Sequence, residues 1–429
     1  MEKKTVAQSI RIRKIQRPNA IYSILGTVWK LFMYKKYHVR YTFKTDFRRV
    51  EGPFFFISNH ASRLDYIFTG IPLLPLKMNY VAGYNEFHRS HLALVFRLLR
   101  VIPKKNFVPD IYTVKEISRV IKSGGGVCLF PEGMSSISGA NQPVAIGTGK
   151  LLKHHKVPVY YSVIRGGYLT SPKYNLRDRL GHVEVEYDLL FTPEDLQRLT
   201  VEEIEATINR AIYHDDYAWN KVHKHTFDIG DNGAEDLQDL LFWCPKCGKQ
   251  HTMSTKGNTI FCTECGNGAV LTDTYELVPF DENCVIPETQ TAWFQMQREV
   301  IRREVEQEDF VLEEEVELGM LPKFTLLKNQ ATSQIVGRGT LRLDRTGLTY
   351  TGTKEGEPFS FHIKSRDLPT YGMCTDVSRF YTFYEGEFVE FYPTHRVVEK
   401  FFLATEEIHR LNGGAWKDFD FSRNEAATY

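Results

Sequence analysis

A histidine and an aspartate five residues apart, His60 and Asp65, form the pair in this sequence that most directly allows chemistry. The pair follows the apolar run Pro53–Phe56, which predicts a short buried strand that gives way to a turn or a helix. An imidazole can take a proton from a hydroxyl, and a nearby carboxylate can fix its tautomer. We therefore predict a general base and its orienting group. The alternative is a surface histidine followed by a helix-capping aspartate.

Two C-x-x-C pairs form a second arrangement with chemical potential. The pairs are Cys244 with Cys247 and Cys262 with Cys265, and a glycine follows each pair. Two such knuckles would place four thiolates at the corners of a tetrahedron, the geometry that structural zinc prefers. The glycines would permit the tight turns required. We predict a structural zinc ribbon with these four cysteines as ligands, and a redox-active pair is the alternative.

Three further segments place polar groups at the ends of predicted strands. One apolar run ends in Phe130–Gly133 (Phe-Pro-Glu-Gly), a second ends in Lys104–Lys105, and Val157–Val159 begins a third. Open α/β sheets bind their ligands at the carboxyl ends of their strands. We therefore expect the Phe-Pro-Glu-Gly segment to present its backbone amides and its carboxylate at that edge of the sheet.

Composition excludes some classes of protein. The chain has 429 residues, of which 42% are hydrophobic and 25% charged, with a formal net charge of +1. This length allows two or three domains, and the charge argues against a nucleic-acid-binding surface over the whole protein. With no secretory signal and no apolar run that could span a bilayer, we expect a cytoplasmic protein with reduced cysteines.

Strand-like and helix-like stretches alternate between residues 38 and 215. Helical patterns fall near 65–72, 87–100, 112–123 and 145–155. The predicted strands are Val39–Phe43, Phe54–Ser58, Asn79–Gly83, Val101–Lys104, Gly126–Phe130, Val157–Arg165 and His182–Leu190. The alternation predicts an α/β domain with helices on both faces of its sheet.

Basic residues and an apolar helical stripe precede this domain. Ile21, Ile24, Leu25, Val28 and Phe32 fall on one face of a helix. A basic leader joined to such a helix fits the interface of an anionic leaflet. Packing of the stripe on the domain core is the alternative.

The remainder predicts smaller units. The acid-rich run that ends in Glu313–Glu315 favours a solvated connecting helix. The short β segments after Gly319, with one C-terminal helix, resemble a pleckstrin-homology-like or GRAM-like barrel, and a generic antiparallel β domain is the alternative. The predicted division is a leader and amphipathic helix (1–37), an α/β domain (38–215), a linker (216–240), a zinc ribbon (241–272), a connecting helix (273–318), a small mainly-β domain (319–415) and a tail (416–429).

The α/β domain resembles the glycerolipid acyltransferase family, of the PlsC-like 1-acylglycerol-3-phosphate O-acyltransferase type. The family's first block, Asn-His-x-Ser-x-x-Asp, is matched in full by Asn59–Asp65. Its Phe-Pro-Glu-Gly block is matched by Phe130–Gly133, and its Val-Pro-Val block by Val157–Val159. Its basic strand-end block is matched loosely by Val101–Lys105. The resemblance covers roughly residues 20–215.

The resemblance implies direct acyl transfer without an acyl-enzyme. His60 would deprotonate an acceptor hydroxyl, Asp65 would orient the imidazole, and the alkoxide would attack the thioester of acyl-CoA or acyl carrier protein. Amides near Gly133 would stabilise the oxyanion, and Lys104 with Lys105 would hold phosphate unless they are a solvated strand end. The substrate-binding residues implied are Asn59, Ser62, Arg63, Lys104, Lys105, Phe130, Pro131, Glu132, Gly133 and Ser135.

The chain departs from the family after Phe-Pro-Glu-Gly. Where the family continues Thr-Arg-Ser, this sequence has Met134–Ser136, so the arginine expected to contact a phosphate is absent. The lysine often found before the next helix is also missing, because that segment reads Gln142–Ala145. Arg63 occupies a position that is often aromatic in the family and would compensate in part.

These features predict a peripheral, monotopic O-acyltransferase of phospholipid biosynthesis at the inner face of the membrane. Lysophosphatidic acid is the predicted acceptor, and another lysolipid without a phosphomonoester is the alternative. A non-catalytic lipid-binding scaffold also stays open. A serine hydrolase is disfavoured because the G-x-S-x-G elbow is not met after Gly133. Nucleic-acid binding by the ribbon is disfavoured because few of its residues are basic.

Overall fold

A computed structural model describes residues 4–11, 14–34, 36–329, 331–414, 416–417 and 419. Parts of the predicted basic leader (residues 1–3, 12 and 13) and most of the predicted tail lie outside the described residues. Within the described ranges, no helix is both long enough and apolar enough to cross a membrane.

The first sheet contains all seven predicted strands, in the order β1-β7-β6-β2-β5-β3-β4. Its strands are β1 (Val39–Phe43), β2 (Phe54–Ser58), β3 (Met78–Gly83), β4 (Ile102–Lys104), β5 (Gly126–Leu129), β6 (Val159–Arg165) and β7 (Val183–Phe191). The β6–β7 pair is antiparallel and the other pairs are parallel. Every residue of β2 is buried, which explains its unbroken apolar sequence.

Helices cover both faces of this sheet. They are α1 (Val6–Arg11), α2 (Ala20–Trp29), α3 (Asp65–Gly70), α4 (Ser90–Leu99), α5 (Ile111–Lys122), α6 (Thr148–His155), α7 (Gly167–Thr170), α8 (Pro193–Arg198), α9 (Val201–Ala211) and α10 (Asp216–His223). Side chains of β2 alternate between two cores: Phe54 and Phe56 belong to the core that contains α3 and α7, and Phe55 and Ile57 to the core that contains α5 and α9. The predicted mixed α/β architecture is confirmed.

A small four-stranded sheet carries the cysteines. It follows α11 (Leu237–Leu240) and contains β8 (Met253–Lys256), β9 (Thr259–Cys262), β10 (Gly268–Leu271) and β11 (Leu277–Pro279). The preceding segment, predicted as a linker over 216–240, contains α10 and α11. Trp219, Leu237 and Leu240 of that segment are buried, so it is packed rather than extended through solvent.

The predicted solvated helix is buried instead. Helix α12 (Gln290–Val305) places Trp293 and Ile301 in the core. The buried Gln297 accepts hydrogen bonds from the backbone N–H groups of Phe242 and Trp243 at 2.9 and 3.1 Å. Charged residues on this helix suggested exposure, but one of them, Arg298, is compensated inside the protein by carboxylates of the C-terminal helix.

The acid-rich run after α12 is a strand, β12 (Val311–Met320), and not a helix end. Alternate acids face outward and pair with bases of the next strand: Arg342 contacts Glu313, and Arg338 contacts Glu317. These cross-strand pairs explain why a dense acidic sequence is stable in a sheet.

The third sheet has seven antiparallel strands in the order β15-β14-β13-β12-β18-β17-β16. Its further strands are β13 (Gln334–Asp344), β14 (Gly347–Lys354), β15 (Glu357–Lys364), β16 (Gly372–Met373), β17 (Phe380–Tyr384) and β18 (Glu387–Pro393). Helix α13 (Val398–Leu411) follows and is buried along most of its length. The pleckstrin-homology-like assignment of this unit stays a prediction.

Candidate active site

His60 and Asp65 meet where β2 ends and α3 begins. His60 Nδ1 lies 2.8 Å from Asp65 Oδ2. Asp65, which is 1% exposed, also accepts hydrogen bonds from the N–H and hydroxyl of Ser62, at 2.9–3.0 Å. Burial raises the pKa of Asp65, and the bond to His60 opposes that rise. With the carboxylate at Nδ1, the proton of a neutral imidazole lies on Nδ1, which leaves Nε2 able to accept one.

Glu132 holds the backbone of His60 in place. Its Oε1 accepts the His60 N–H at 2.7 Å and the Asn141 side-chain N–H at 2.8 Å, and its Oε2 accepts the Gln142 N–H at 2.8 Å. Burial raises the pKa of Glu132 to about 8 against these hydrogen bonds. Glu132 does not line the cavity described below, so it positions the loop rather than contacting the cavity.

Asn59 fixes the strand end in a similar way. Its side chain accepts the Ile164 N–H at 2.7 Å and donates to the Ile164 carbonyl at 2.9 Å. This pair of bonds ties the end of β2 to β6. The Ser136 N–H then donates to the His60 carbonyl at 2.7 Å, which ties the loop after Phe-Pro-Glu-Gly to the same strand end.

A cavity of about 1390 Å³ opens in front of His60. Its polar lining includes His60, Arg63, Lys104 and Ser135. The apolar walls come from α2, α4 and α5 and their neighbours, including Tyr22, Leu74, Val95, Phe96, Leu99, Val114 and Ile117. The cavity can therefore accept a long apolar ligand with a polar end near the imidazole.

The Phe-Pro-Glu-Gly turn forms part of the cavity wall. Phe130 packs against the His60 ring with 4.7 Å between ring centroids, and Pro131 and Gly133 line the cavity. Gly133 has a φ of +82°, which explains the need for glycine at this turn. Its N–H donates to the Phe130 carbonyl at 3.1 Å.

The three predicted cations have different environments. Arg63 forms an ion pair with Asp178. Lys105 donates to the Gly386 carbonyl and lies over the rings of Tyr84 and Phe383, so its ammonium is directed at the third sheet. Of the two lysines, only Lys104 lines the cavity, and burial lowers its pKa.

Several cavity residues were not predicted from the sequence. Phe107 and Lys173 come from loops, and the third sheet and its surroundings contribute Arg366, Asp367, Pro369, Met373, Thr375 and Tyr381. No local motif marks these residues, because they reach the cavity through contacts between segments far apart in the chain.

The four predicted cysteines converge as a candidate metal centre. Their sulfur atoms all lie within 4.8 Å of one another, with Cys244–Cys265 and Cys247–Cys262 separations of 3.7 and 3.8 Å. A tetrahedral Zn²⁺ with Zn–S bonds of about 2.3 Å has sulfur–sulfur edges of about 3.8 Å. The glycines after the pairs, Gly248 and Gly266, have φ values of +73° and +72°. The donor set and geometry therefore fit structural zinc.

Comparison with protein-family models agrees with the sequence blocks. Residues 38–165 match the family model named Acyltransferase, so the resemblance is confirmed for this part of the chain. Among solved structures, the chain is similar to the 1-acyl-sn-glycerophosphate (LPA) acyltransferase PlsC from Thermotoga maritima, with 17% identity, a TM-score of 0.39, and coverage of 48% of this chain and 78% of that one. No curated protein matches the chain significantly.

Proposed function

We propose that this chain, whose residues 38–165 form an acyltransferase domain, transfers a fatty acyl group from a thioester to the hydroxyl of a lysolipid at a membrane surface. Lysophosphatidic acid is the proposed acceptor, with phosphatidic acid as the product. The observation that carries the proposal is the His60–Asp65 pair, which faces a large cavity with mainly apolar walls and several cations in its lining.

The proposed reaction is a direct transfer with His60 as general base. Nε2 takes the proton of the acceptor hydroxyl while Asp65 stabilises the imidazolium that forms. The hydroxyl oxygen bonds to the thioester carbonyl carbon, and the tetrahedral intermediate collapses as the C–S bond breaks. The thiolate leaves with the proton from Nε2. Positioned general-base catalysis of this kind is worth about 10²–10⁴-fold.

The oxyanion requires donors in the turn after Phe130. The Gly133 N–H is already bonded within the turn, so we assign this role to the N–H groups of Met134 and Ser135. Both residues line the cavity, and neither backbone N–H has a hydrogen-bond acceptor among the described residues. Donors already oriented toward the developing charge are often the largest contribution to such a reaction.

An exposed apolar face supports action at a membrane surface. Ile24 (62% exposed) extends from α2, and Leu31 and Phe32 (73% exposed) extend from the π-helical turn Lys30–Tyr34 that follows it. Leu94 (60% exposed) extends from the neighbouring α4. Other residues of the same two helices line the cavity. A lipid held at this face would have a short apolar route to His60. The proposed location is the cytoplasmic face of the membrane.

An acceptor screen with matched variants tests the proposal. Wild-type protein in lipid vesicles is given labelled acyl-CoA or acyl carrier protein donors and a panel of lysolipids. We expect transfer to lysophosphatidic acid, and a loss of at least 10²-fold in kcat for His60→Ala. His154→Ala, an exposed histidine away from the cavity, is the control. Turnover by His60→Ala equal to that of the wild type would refute the mechanism. No turnover by the wild type or by the variant would favour a lipid-binding scaffold.

A further inference from the structure

Lys173 lies buried where the acyltransferase domain meets the third sheet. It follows α7 in the loop Ser171–Tyr174 and is 5% exposed. Its Nζ lies 3.2 Å from Ser135 Oγ and 3.2 Å from the Met373 carbonyl oxygen. Ser135 follows Phe-Pro-Glu-Gly closely, and Met373 is in β16. Lys173 therefore stands beside the segment from which the family's arginine is missing.

The charge on Lys173 is balanced only from beyond ion-pair distance, by Asp376, Glu399 and Glu86. Both of its hydrogen-bond acceptors are neutral, and no ion pair of Lys173 is found within the described part of the chain. Lys104, which lines the same cavity, also has no ion pair there. A buried cation with no carboxylate in direct contact is only partly compensated, and an anionic ligand that contacts it lowers the remaining cost.

The ligand must also fit the rest of the cavity. Ser135 Oγ accepts from Lys173, so its own hydroxyl proton is available for a second acceptor. Both residues line the cavity that His60 faces, whose remaining walls are largely apolar. A ligand that satisfies the whole cavity has an anion at one end and a hydrocarbon chain at the other, as a lysolipid with a phosphate headgroup does.

We propose that Lys173, with Ser135, binds the phosphate of the acceptor, and that the third sheet completes this site. The inference rests on the proposed lysolipid acyltransferase function and adds the residue that selects the headgroup. The Met373 carbonyl accepts a hydrogen bond from the ammonium, and Pro369, Thr375 and Tyr381 line the same cavity. The third unit is thus part of the acceptor site and not a separate lipid sensor.

Substitution at Lys173 should change headgroup preference rather than turnover. In the full-length protein, Lys173→Met should raise KM for lysophosphatidic acid about tenfold to a hundredfold, because a charge-assisted hydrogen bond is lost. KM for an uncharged monoacylglycerol should stay within about twofold, and Lys173→Arg should recover part of the preference. Lys153→Met is the control, since Lys153 donates to carbonyls outside the cavity. An equal change in KM for both acceptors would overturn the proposal.

Binding without a donor separates this inference from the proposed function. Lysophosphatidic acid in mixed micelles should raise the Tm of wild-type protein more than that of Lys173→Met, even if no acyl transfer occurs. If acyl transfer occurs but lysophosphatidic acid raises the Tm of both proteins equally, the role of Lys173 is overturned and the proposed function stands. If Lys173→Met does not fold, the two acceptors are compared with wild-type protein alone. Equal kcat/KM for lysophosphatidic acid and monoacylglycerol would exclude a phosphate site. If inorganic phosphate raised the Tm of wild-type protein as much as lysophosphatidic acid does, the ligand would be free phosphate and not a lipid headgroup.

Discussion

The imidazole of His60 depends on Asp65 for both its tautomer and its orientation. Asp65→Asn would retain the size of the side chain, but its amide can donate to Nδ1 and thereby place the imidazole proton on Nε2. We expect kcat to fall about 10²–10⁴-fold while the Tm stays near the wild-type value. Asp46→Asn, at an exposed position outside the cavity, is the control. Turnover close to wild type in Asp65→Asn would show that another group orients the base.

Acceptor preference should depend on pH through Lys173. Burial lowers the pKa of Lys173 to about 8, so its ammonium is mostly charged at pH 7 and loses its charge as the pH rises through 8. We expect kcat/KM for lysophosphatidic acid to fall between about pH 7.5 and 9, because the free enzyme loses the cation that binds phosphate.

The uncharged acceptor provides the internal control for this pH profile. For monoacylglycerol, kcat/KM should show no alkaline decline over the same range. Lys173→Arg should remove the decline for lysophosphatidic acid, since a guanidinium stays charged. A decline shared by both acceptors would assign it to a group other than Lys173.

At the residue scale, the sequence was informative wherever a function needs neighbours in the chain. The spacing of His60 and Asp65 is short enough for one turn to bring them together, and the four cysteines lie within 22 residues, in and beside a single small sheet. Lys173 had no such signal. It reaches the site through the fold of β6 and α7 and through contact with β16, and a lone lysine beside a proline indicates no function by itself.

Among the elements, the small cysteine sheet should depend on metal. Metal analysis should find one zinc per chain, and Cys247→Ser should lose it and lower the Tm, because the ribbon has little apolar core of its own. His182→Ala is the control. It alters a second group of ligand-type side chains, His182, Glu184 and His225, and should leave the zinc bound to the cysteines unchanged. Chelation with no change in Tm would contradict a structural role.

The exposed apolar face of α2 and of the π-helical turn after it should control vesicle binding. Ile24→Ser with Phe32→Ser removes two apolar side chains that contact no core. We expect vesicle affinity to fall at least tenfold, since burial of one such side chain contributes about 1.5–3 kcal/mol. Ile335→Ser changes an exposed residue on the third sheet and is the control in co-sedimentation with anionic vesicles. Unchanged vesicle binding by the double variant would show that the membrane contacts another part of the surface.

Predictions for elements succeeded where periodicity and burial agree. All seven strands of the first sheet were predicted within two residues, because each is a short apolar or alternating run between turn residues. The burial of helix α12 and the strand structure of β12 were not predicted, and one reason explains both. Charged residues suggested solvent, whereas Arg298 is neutralised inside the protein and Glu313 and Glu317 pair across a sheet. Sequence pattern cannot distinguish a solvated charge from one paired at a distance.

At the scale of the whole molecule, the units share cores as well as the cavity. Residues of α11, the cysteine sheet, α12 and the third sheet belong to one apolar cluster, which also includes Met134 and Ile137 of the acyltransferase domain. A substitution that disturbs the contact between α12 and α13 should therefore also affect the active site. The sequence patterns could not reveal this shared core, because each pattern describes one segment and the core joins segments that are far apart in the chain.

The buried ion pairs of Arg298 allow this coupling to be measured. Its guanidinium contacts Glu406 at 2.7 Å and Glu407 at 3.0 Å on α13, and all three side chains are almost fully buried. Arg298→Ala leaves these carboxylates uncompensated and should lower the free energy of unfolding by about 3–5 kcal/mol. Arg338→Ala breaks an exposed pair with Glu317 and should change the free energy of unfolding by less than about 1 kcal/mol.

If the third sheet completes the acceptor site, Arg298→Ala should also weaken headgroup selection at temperatures where the protein is still folded. The variant should lose preference for lysophosphatidic acid over monoacylglycerol, while transfer to monoacylglycerol continues because the His60–Asp65 pair lies on a different sheet. Arg338→Ala should retain both activities. A destabilised Arg298→Ala protein with unaltered headgroup preference would mean that the third sheet stabilises the fold without shaping the acceptor site.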